Sequence, residues 1–98
     1  MKEDLYIFIY GTEPLPCGLD KIEDGIFERI EGYGDVSGSG TGNSGWNVDL
    51  SYESPNATNR ILIEAVAVLK QYDITEGVSF DVGGKRYCLD QLDEMLQK

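Results

Sequence analysis

The architecture of this chain follows from Leu5–Tyr10, LYIFIY, in which aliphatic residues at odd positions alternate with aromatic residues at even positions. A period of two is typical of a β-strand, and apolar residues at every position indicate that both faces of the strand are partly covered. We therefore expect a central strand. If its aliphatic residues face the helices, Tyr6, Phe8 and Tyr10 line the open face of the sheet.

Two amphipathic helices are predicted further along the chain. Leu19, Ile22, Ile26 and Ile30 recur at helical spacing, although Gly25 costs this helix about 1 kcal/mol relative to alanine. The dipeptide Ser54-Pro55 is a helix start signal, with serine as the N-cap and proline at the first helical position. The broad apolar face that follows in residues 61–72 predicts the better buried helix.

Two hairpins complete the set of predicted elements. The first leads from Asp35–Ser39 through a flexible or twisted glycine-rich loop into Trp46–Glu53, where large apolar and polar residues alternate. The second joins Val78–Val82 to Lys85–Leu89 through Gly83-Gly84, a pair that permits positive φ. After it, Asp90 is expected to cap a short helix whose inward residues are Leu92, Met95 and Leu96.

The predicted order is β, α, β, β, α, β, followed by a hairpin strand and a short helix. This order predicts a single α+β domain over residues 1–98, built as a two-layer sandwich of the ferredoxin-like kind. A fold of this type does not by itself indicate a function.

The formal charge of −10 is the strongest indication of the kind of partner. The 98 residues include 18 Asp and Glu against 8 Lys and Arg, with no histidine. Such a surface repels nucleic acid and anionic membranes and accelerates encounters with basic proteins. We therefore expect a protein partner, with no nucleic acid and no membrane.

A cytoplasmic location is the expected one. No segment has the length of a membrane span, and the apolar stretch near the N-terminus is too short for the apolar region of a signal peptide. The two cysteines, Cys17 and Cys88, do not make a disulfide framework or a zinc-binding pattern.

The chain is not expected to be an enzyme, and no catalytic residue, cofactor or metal site is predicted. Without histidine, the commonest general base at neutral pH is missing. Residues 40–45 match GxGxxG, but a dinucleotide site needs a helix after this motif and a strand is predicted instead. The resemblance of Asp35–Gly40 to a calcium-binding loop fails at Trp46, where a bidentate glutamate is required.

Two surfaces are candidates for binding a protein. The first is the acidic side of the first helix, with Glu23, Asp24 and Glu28, and the second is the open sheet face with Asp49 and Glu53. Aromatic residues are typical anchors of protein interfaces; the candidates here are Tyr6, Tyr10, Tyr33 and Trp46. In the alternative arrangement, the C-terminal segment covers the aromatic residues of the first strand.

The glycine-rich hairpin and the strand after it, Gly34–Leu50, resemble a group of small acidic bacterial proteins from toxin–immunity pairs. The similarity covers residues 32–88 and includes the VGGKRY turn at residues 82–87. It implies an immunity protein, of the contact-dependent growth inhibition kind, that neutralises one cognate toxin by direct binding. No individual binding residue follows from it.

The leading hypothesis is an inhibitor whose acidic surface occludes the active site of a basic toxin. A nuclease is the expected class of toxin, because its cleft must be positive to hold phosphates. One alternative is a small-molecule-sensing regulatory domain in which the glycine-rich loop shapes a pocket. Another is a structural subunit of a larger complex.

Overall fold

The fold is α+β, with one antiparallel sheet of five strands and three α-helices. The computed structural model describes residues 4–42 and 45–96. The strands are β1 (Leu5–Gly11), β2 (Asp35–Gly42), β3 (Gly45–Tyr52), β4 (Val78–Val82) and β5 (Lys85–Cys88). The helices are α1 (Leu19–Ile30), α2 (Thr58–Gln71) and α3 (Leu89–Leu96). All of these elements occur in the order that the sequence predicts.

β1 is the central strand, as predicted, because the strand order is β2-β3-β1-β4-β5. Ile7 and Ile9 are fully buried, whereas Tyr6 is 45% exposed. The registers place Phe8 opposite Asp49 of β3 on one side and opposite Asp81 of β4 on the other. The aliphatic side of β1 therefore belongs to the core, and the aromatic side lies on the opposite face of the sheet.

The helices and the sheet share one hydrophobic core, which is consistent with the predicted two-layer sandwich. The buried residues of α1 are Ile22, Ile26 and Ile30, the three that the helical spacing indicates. They belong to the same cluster as Ile9 of β1 and Leu69 of α2. Burying an aliphatic side chain of this size stabilises a fold by roughly 1.5–3 kcal/mol, so this face fixes α1 on the sheet.

Gly25 lies where α1 faces α2. A Cβ atom at this position would come within 3.2 Å of Val68 Cγ1. Arg29, one turn further along α1, lies 3.8 Å from Glu64 of α2 between Nη1 and Oε2. The helix-propensity cost of this glycine therefore accompanies a close approach of the two helices.

The glycine-rich segment is more regular than predicted. β2 runs to Gly42, three residues beyond the expected end at Ser39, because its backbone pairs with β3 as far as Gly42 opposite Gly45. The ladder hydrogen bonds order glycines that the composition suggested were a loop. The rest of the predicted loop, residues 43 and 44, lies outside the described residues.

The predicted starts of α2 and α3 need correction. Ser54-Pro55 opens a 3₁₀ turn, Pro55–Ala57, and Ser54 makes no side-chain cap; α2 begins at Thr58. At the predicted start of α3, β5 ends at Cys88 and the helix begins at Leu89, so Asp90 lies inside the first turn of the helix.

The start of α3 is capped by a different residue. The Gln91 Oε1 atom accepts a hydrogen bond from the backbone N–H of Cys88 at 2.9 Å, which is one half of a capping box. Of the predicted inward residues of α3, Leu92 is fully buried but Met95 is 52% exposed. None of the helices formed by the described residues has the length and apolarity that a membrane span needs.

Candidate protein-binding surfaces

The face of the sheet opposite the core carries the aromatic side of β1; we call it the open sheet face. Strand alternation and the registers of β1, β3, β4 and β5 place ten side chains of these strands on it. They are Tyr6, Phe8, Tyr10, Asn47, Asp49, Ser51, Ser79, Asp81, Arg86 and Cys88.

The C-terminal helix does not cover this face, so the alternative arrangement suggested by the sequence is wrong. Leu89 and Leu92 of α3 are buried in the core cluster that the sheet shares with α1 and α2. Lys70 Nζ of α2 lies 2.6 Å from Asp93 Oδ2 of α3, which joins the two helices. Packing on α2 places α3 in the helical layer.

The aromatic residues of the open sheet face form two arrangements. The rings of Tyr6 and Phe8 are stacked, with centroids 5.9 Å apart and planes 7° apart. The Arg86 guanidinium carbon lies 5.0 Å from the centroid of the Tyr10 ring, a cation–π distance. Tyr10 is thus already occupied by a cation from this chain, whereas the Tyr6–Phe8 pair offers an apolar surface to a partner.

Two carboxylates flank this aromatic pair. Asp49 and Asp81 lie opposite Phe8 on the two neighbouring strands, and residues directly opposite each other on one face of a sheet have Cβ atoms roughly 5 Å apart. Asn47 Nδ2 donates a hydrogen bond to Asp49 Oδ1 at 3.2 Å, which orients that carboxylate. The result is an apolar centre with a carboxylate on each side; Arg86 of β5 lies directly opposite Asp81 and offsets part of the negative charge on that side.

The outer side of α1 is a second candidate surface, which we call the acidic helix face. Its residues are all exposed and share one side of the helix at spacings of three and four; they are Asp20, Asp24, Phe27 and Glu28, with Glu31 directly after the end of the helix. The sequence reasoning missed Phe27, which is 41% exposed. Phe27 directly follows the core residue Ile26 and so lies outside the apolar stripe of the helix, and this position was the sequence feature that could have predicted its exposure.

Glu23, a predicted binding residue, has a different position from Asp24 and Glu28. Its side chain is half-buried, and its Oε1 atom accepts a hydrogen bond from the Ser39 hydroxyl of β2. Because this carboxylate joins α1 to β2, Glu23 is less accessible to a partner than the other two.

Trp46 is not a surface anchor. Its side chain is 6% exposed and belongs to the core, and Nε1 donates a hydrogen bond to the carbonyl oxygen of Glu13 at 3.2 Å. Both the ring and its polar atom are therefore occupied within this chain, and we leave Trp46 out of the proposed interface.

Tyr33 and Glu53 lie close together in the structure, although they are far apart in the sequence and no sequence pattern paired them. Both line a shallow depression near the start of β2. Tyr33 is 46% exposed, and the Arg60 guanidinium carbon lies 5.3 Å from the centroid of its ring. The structure does not place either residue among the ten residues of the open sheet face.

A depression of about 350 Å³ is lined by Trp46, Gly42 and Gly45 together with the loop after β1. Glycines of the hairpin do therefore border a concave surface, as the ligand-sensing alternative requires. Among residues 4–42 and 45–96, no group of three Cys, Asp or Glu side chains is arranged to hold a metal ion.

A scan against protein-family models, a search of curated proteins and a search of solved structures each returned no match to this chain. The two acidic surfaces are therefore the basis of the functional proposal.

Proposed function

We propose that this chain is an immunity protein that binds a basic toxin domain and occludes its active site, with a nuclease as the favoured class of toxin. The observation that carries the proposal is the stacked Tyr6–Phe8 pair between Asp49 and Asp81 on an open sheet face. The net charge of −10 supports it, because a negatively charged protein attracts a basic partner.

The two kinds of residue have different roles in this proposal. Tyr6 and Phe8 supply the apolar contact that loses water on binding, and aromatic residues at the centre of an interface contribute most of its binding energy. Asp49 and Asp81 stand in for the phosphates that a nuclease cleft holds, and they accelerate the encounter. Inhibition needs no chemistry from this chain, since covering the cleft excludes the substrate.

We also infer that the first four strands and the first two helices form a ferredoxin-like unit. The βαββαβ order and the central position of β1 between β3 and β4 support this assignment. In this description β5 extends the sheet beyond β4, and α3 is an addition to the helical layer.

The proposed place of action is the cytoplasm, where an incoming toxin meets its target. Cys17 and Cys88 are free thiols, which agrees with a reducing compartment.

The first experiment is affinity capture with the tagged protein from its source organism, with washes at rising salt. We expect one basic polypeptide that is released as salt screens the charges. When expressed alone it should arrest growth, and co-expression of this chain should restore growth. A captured polypeptide without toxicity would contradict the immunity proposal. If no polypeptide is captured and a small molecule raises the melting temperature of the protein, the results would favour the ligand-sensing alternative.

A matched pair of double variants then locates the interface. Asp49→Asn with Asp81→Asn removes two carboxylates from the open sheet face, and Asp24→Asn with Glu28→Gln removes two from the acidic helix face. Each pair removes two negative charges, so any difference between them reports position and not total charge. We expect the first pair to weaken binding and to flatten the salt dependence of the association rate more than the second. The reverse order would move the interface to α1.

A further inference from the structure

The two edges of the sheet are protected to different extents. β5 forms one edge, is four residues long and carries Lys85 and Arg86. β2 forms the other edge, is eight residues long, and its one charged residue is Asp35 at its first position. Short length, lysine, proline and β-bulges are among the usual protections of an edge strand against pairing with another chain. β5 has two of them, whereas β2 has a bulge in its first part and none of them from Gly38 to Gly42.

The first part of β2 is irregular, so the pairing-competent part of this edge begins after it. A bulge lies between Val36 and Gly38, and the N–H of Val36 donates to Asp35 Oδ1 at 2.8 Å. From Gly38 to Gly42 the register with β3 is continuous. Alternate N–H and C=O groups of such an edge strand point away from the sheet, where an incoming strand can pair with them.

On the open sheet face this edge presents negative charge without bulky side chains. Gly38 and Gly40 lie opposite Asp49 and Asn47 of β3. Asp49 Oδ2 lies 3.3 Å from the position that a Cβ atom would take at Gly38, so the carboxylate leans over this glycine. A lysine or arginine on an added strand would therefore meet Asp49 across Gly38.

The helical side of this edge is bordered by α1. Ser39 of β2 is hydrogen-bonded to Glu23 of α1. Phe27 lies one helical turn beyond Glu23, toward the start of β2, and is 41% exposed. A side chain on the helical side of an added strand would therefore face the flank of α1 that carries Glu23 and Phe27.

We propose that the Gly38–Gly42 edge of β2 binds an extended segment of the basic partner as an added strand, with basic residues toward Asp49 and apolar residues toward the flank of α1. This inference rests on the proposed function for the charge of the partner. Strand addition gains affinity from main-chain hydrogen bonds and specificity from alternate side chains. A second copy of this chain is the poorer occupant, because each copy carries a charge of −10.

The direct test uses an acetylated and amidated peptide of alternating Lys and Val residues, as long as β2, as the probe. Amide hydrogen exchange of the isotope-labelled protein is followed by NMR with and without the peptide. We expect exchange of alternate amides between Gly38 and Gly42 to slow by roughly tenfold or more at saturation, with β5 unchanged. A Glu-Val peptide and a Lys-Val peptide interrupted by proline are the controls, and neither should protect β2.

Gly40→Lys places on this edge the charge that β5 already has, and it should weaken peptide binding at least about tenfold. A Cβ atom at Gly40 would meet only Asn47 Oδ1, at 3.2 Å, and this atom belongs to a side chain that can move. Thr75→Lys, on the exposed loop before β4, adds the same charge elsewhere and should leave binding unchanged.

Three results would overturn the proposal: saturation by the Lys-Val peptide without protection of β2, protection by the Glu-Val peptide, or concentration-dependent protection of β2 in the absence of peptide. The last result would assign this edge to a second copy of the chain. Since the probe is not a toxin, these results leave the immunity proposal intact; that proposal fails separately if the captured polypeptide is not neutralised.

Discussion

The indole ring of Trp46 lies so close to Gly11 that a Cβ atom on Gly11 would come within 2.0 Å of Trp46 Cε2. These residues face each other across the β1–β3 ladder. Beside them Gly45, at φ +134°, leaves room for the carbonyl oxygen of Gly11, which a Cβ atom at Gly45 would approach to 2.0 Å. At this end of the sheet, the indole ring of Trp46 therefore packs directly on the backbone of Gly11, and the carbonyl oxygen of Gly11 packs against the backbone of Gly45.

Gly11→Ala is expected to lower the free energy of unfolding by about 1–3 kcal/mol, because a buried ring has to shift to accept the methyl group. Gly42→Ala is the matched control, since a Cβ atom there meets nothing within 4 Å. Urea denaturation of both variants measures the difference. Equal stability of the two would show that Trp46 is not held against Gly11.

Leu92→Ala should destabilise the protein by about 2–5 kcal/mol, because Leu92 is fully buried in the core. Met95→Ala should change stability by less than about 0.5 kcal/mol, because this side chain is half-exposed on the same helix. Thermal unfolding distinguishes the two variants. A larger loss for Met95→Ala would place the other side of α3 against the protein.

The hydrogen bond between Ser39 and Glu23 is expected to be worth about 0.5–1.5 kcal/mol, the usual net contribution of such a bond. A double-mutant cycle of Ser39→Ala and Glu23→Ala measures it in denaturant. The control cycle pairs Ser39→Ala with Asp24→Ala, whose exposed carboxylate should give additive effects. If the coupling energies of the two cycles were similar, they would reflect the general effect of removing a carboxylate and not a specific hydrogen bond between Ser39 and Glu23.

Tyr6→Ser should weaken binding of the captured partner by roughly 30-fold or more, the loss expected when a central aromatic residue is removed. Stability should change little, because the Tyr6 side chain is 45% exposed. Met95→Ser removes an exposed apolar side chain from the helical layer and serves as the control. Calorimetric titration gives both affinities, and an unchanged affinity for Tyr6→Ser would remove the open sheet face from the interface.

Much of the fold could be predicted because local periodicity records which side of each element is buried. The alternation in Leu5–Tyr10 separated an aliphatic from an aromatic side of β1, and the spacing of Ile22, Ile26 and Ile30 identified the core side of α1. The end of β2 could not be predicted in this way. Glycine has no side chain with which to report a face, and it was backbone pairing with β3 that ordered the segment.

The candidate surfaces were predictable only in part. Charge made Asp24, Glu28 and Asp49 reasonable choices. Trp46 is of a residue type that is common among interface anchors, but its position in the fold is that of a core residue. Glu23 and Asp24 are neighbours with similar side chains, yet only Glu23 faces β2. These distinctions depend on which element packs beside a residue, and that information is not local.

The sequence by itself determined the charge of this protein, the order of its elements and the apolar side of most of them, because these follow from composition and from periods of two and 3.6 residues. The tertiary structure alone decided that α3 joins the helical layer and leaves Tyr6 and Phe8 open, and that β2 is an edge strand. The physical reason is that both outcomes depend on contacts between distant parts of the chain: the burial of Leu89 and Leu92 in the shared core, and the strand order of the sheet.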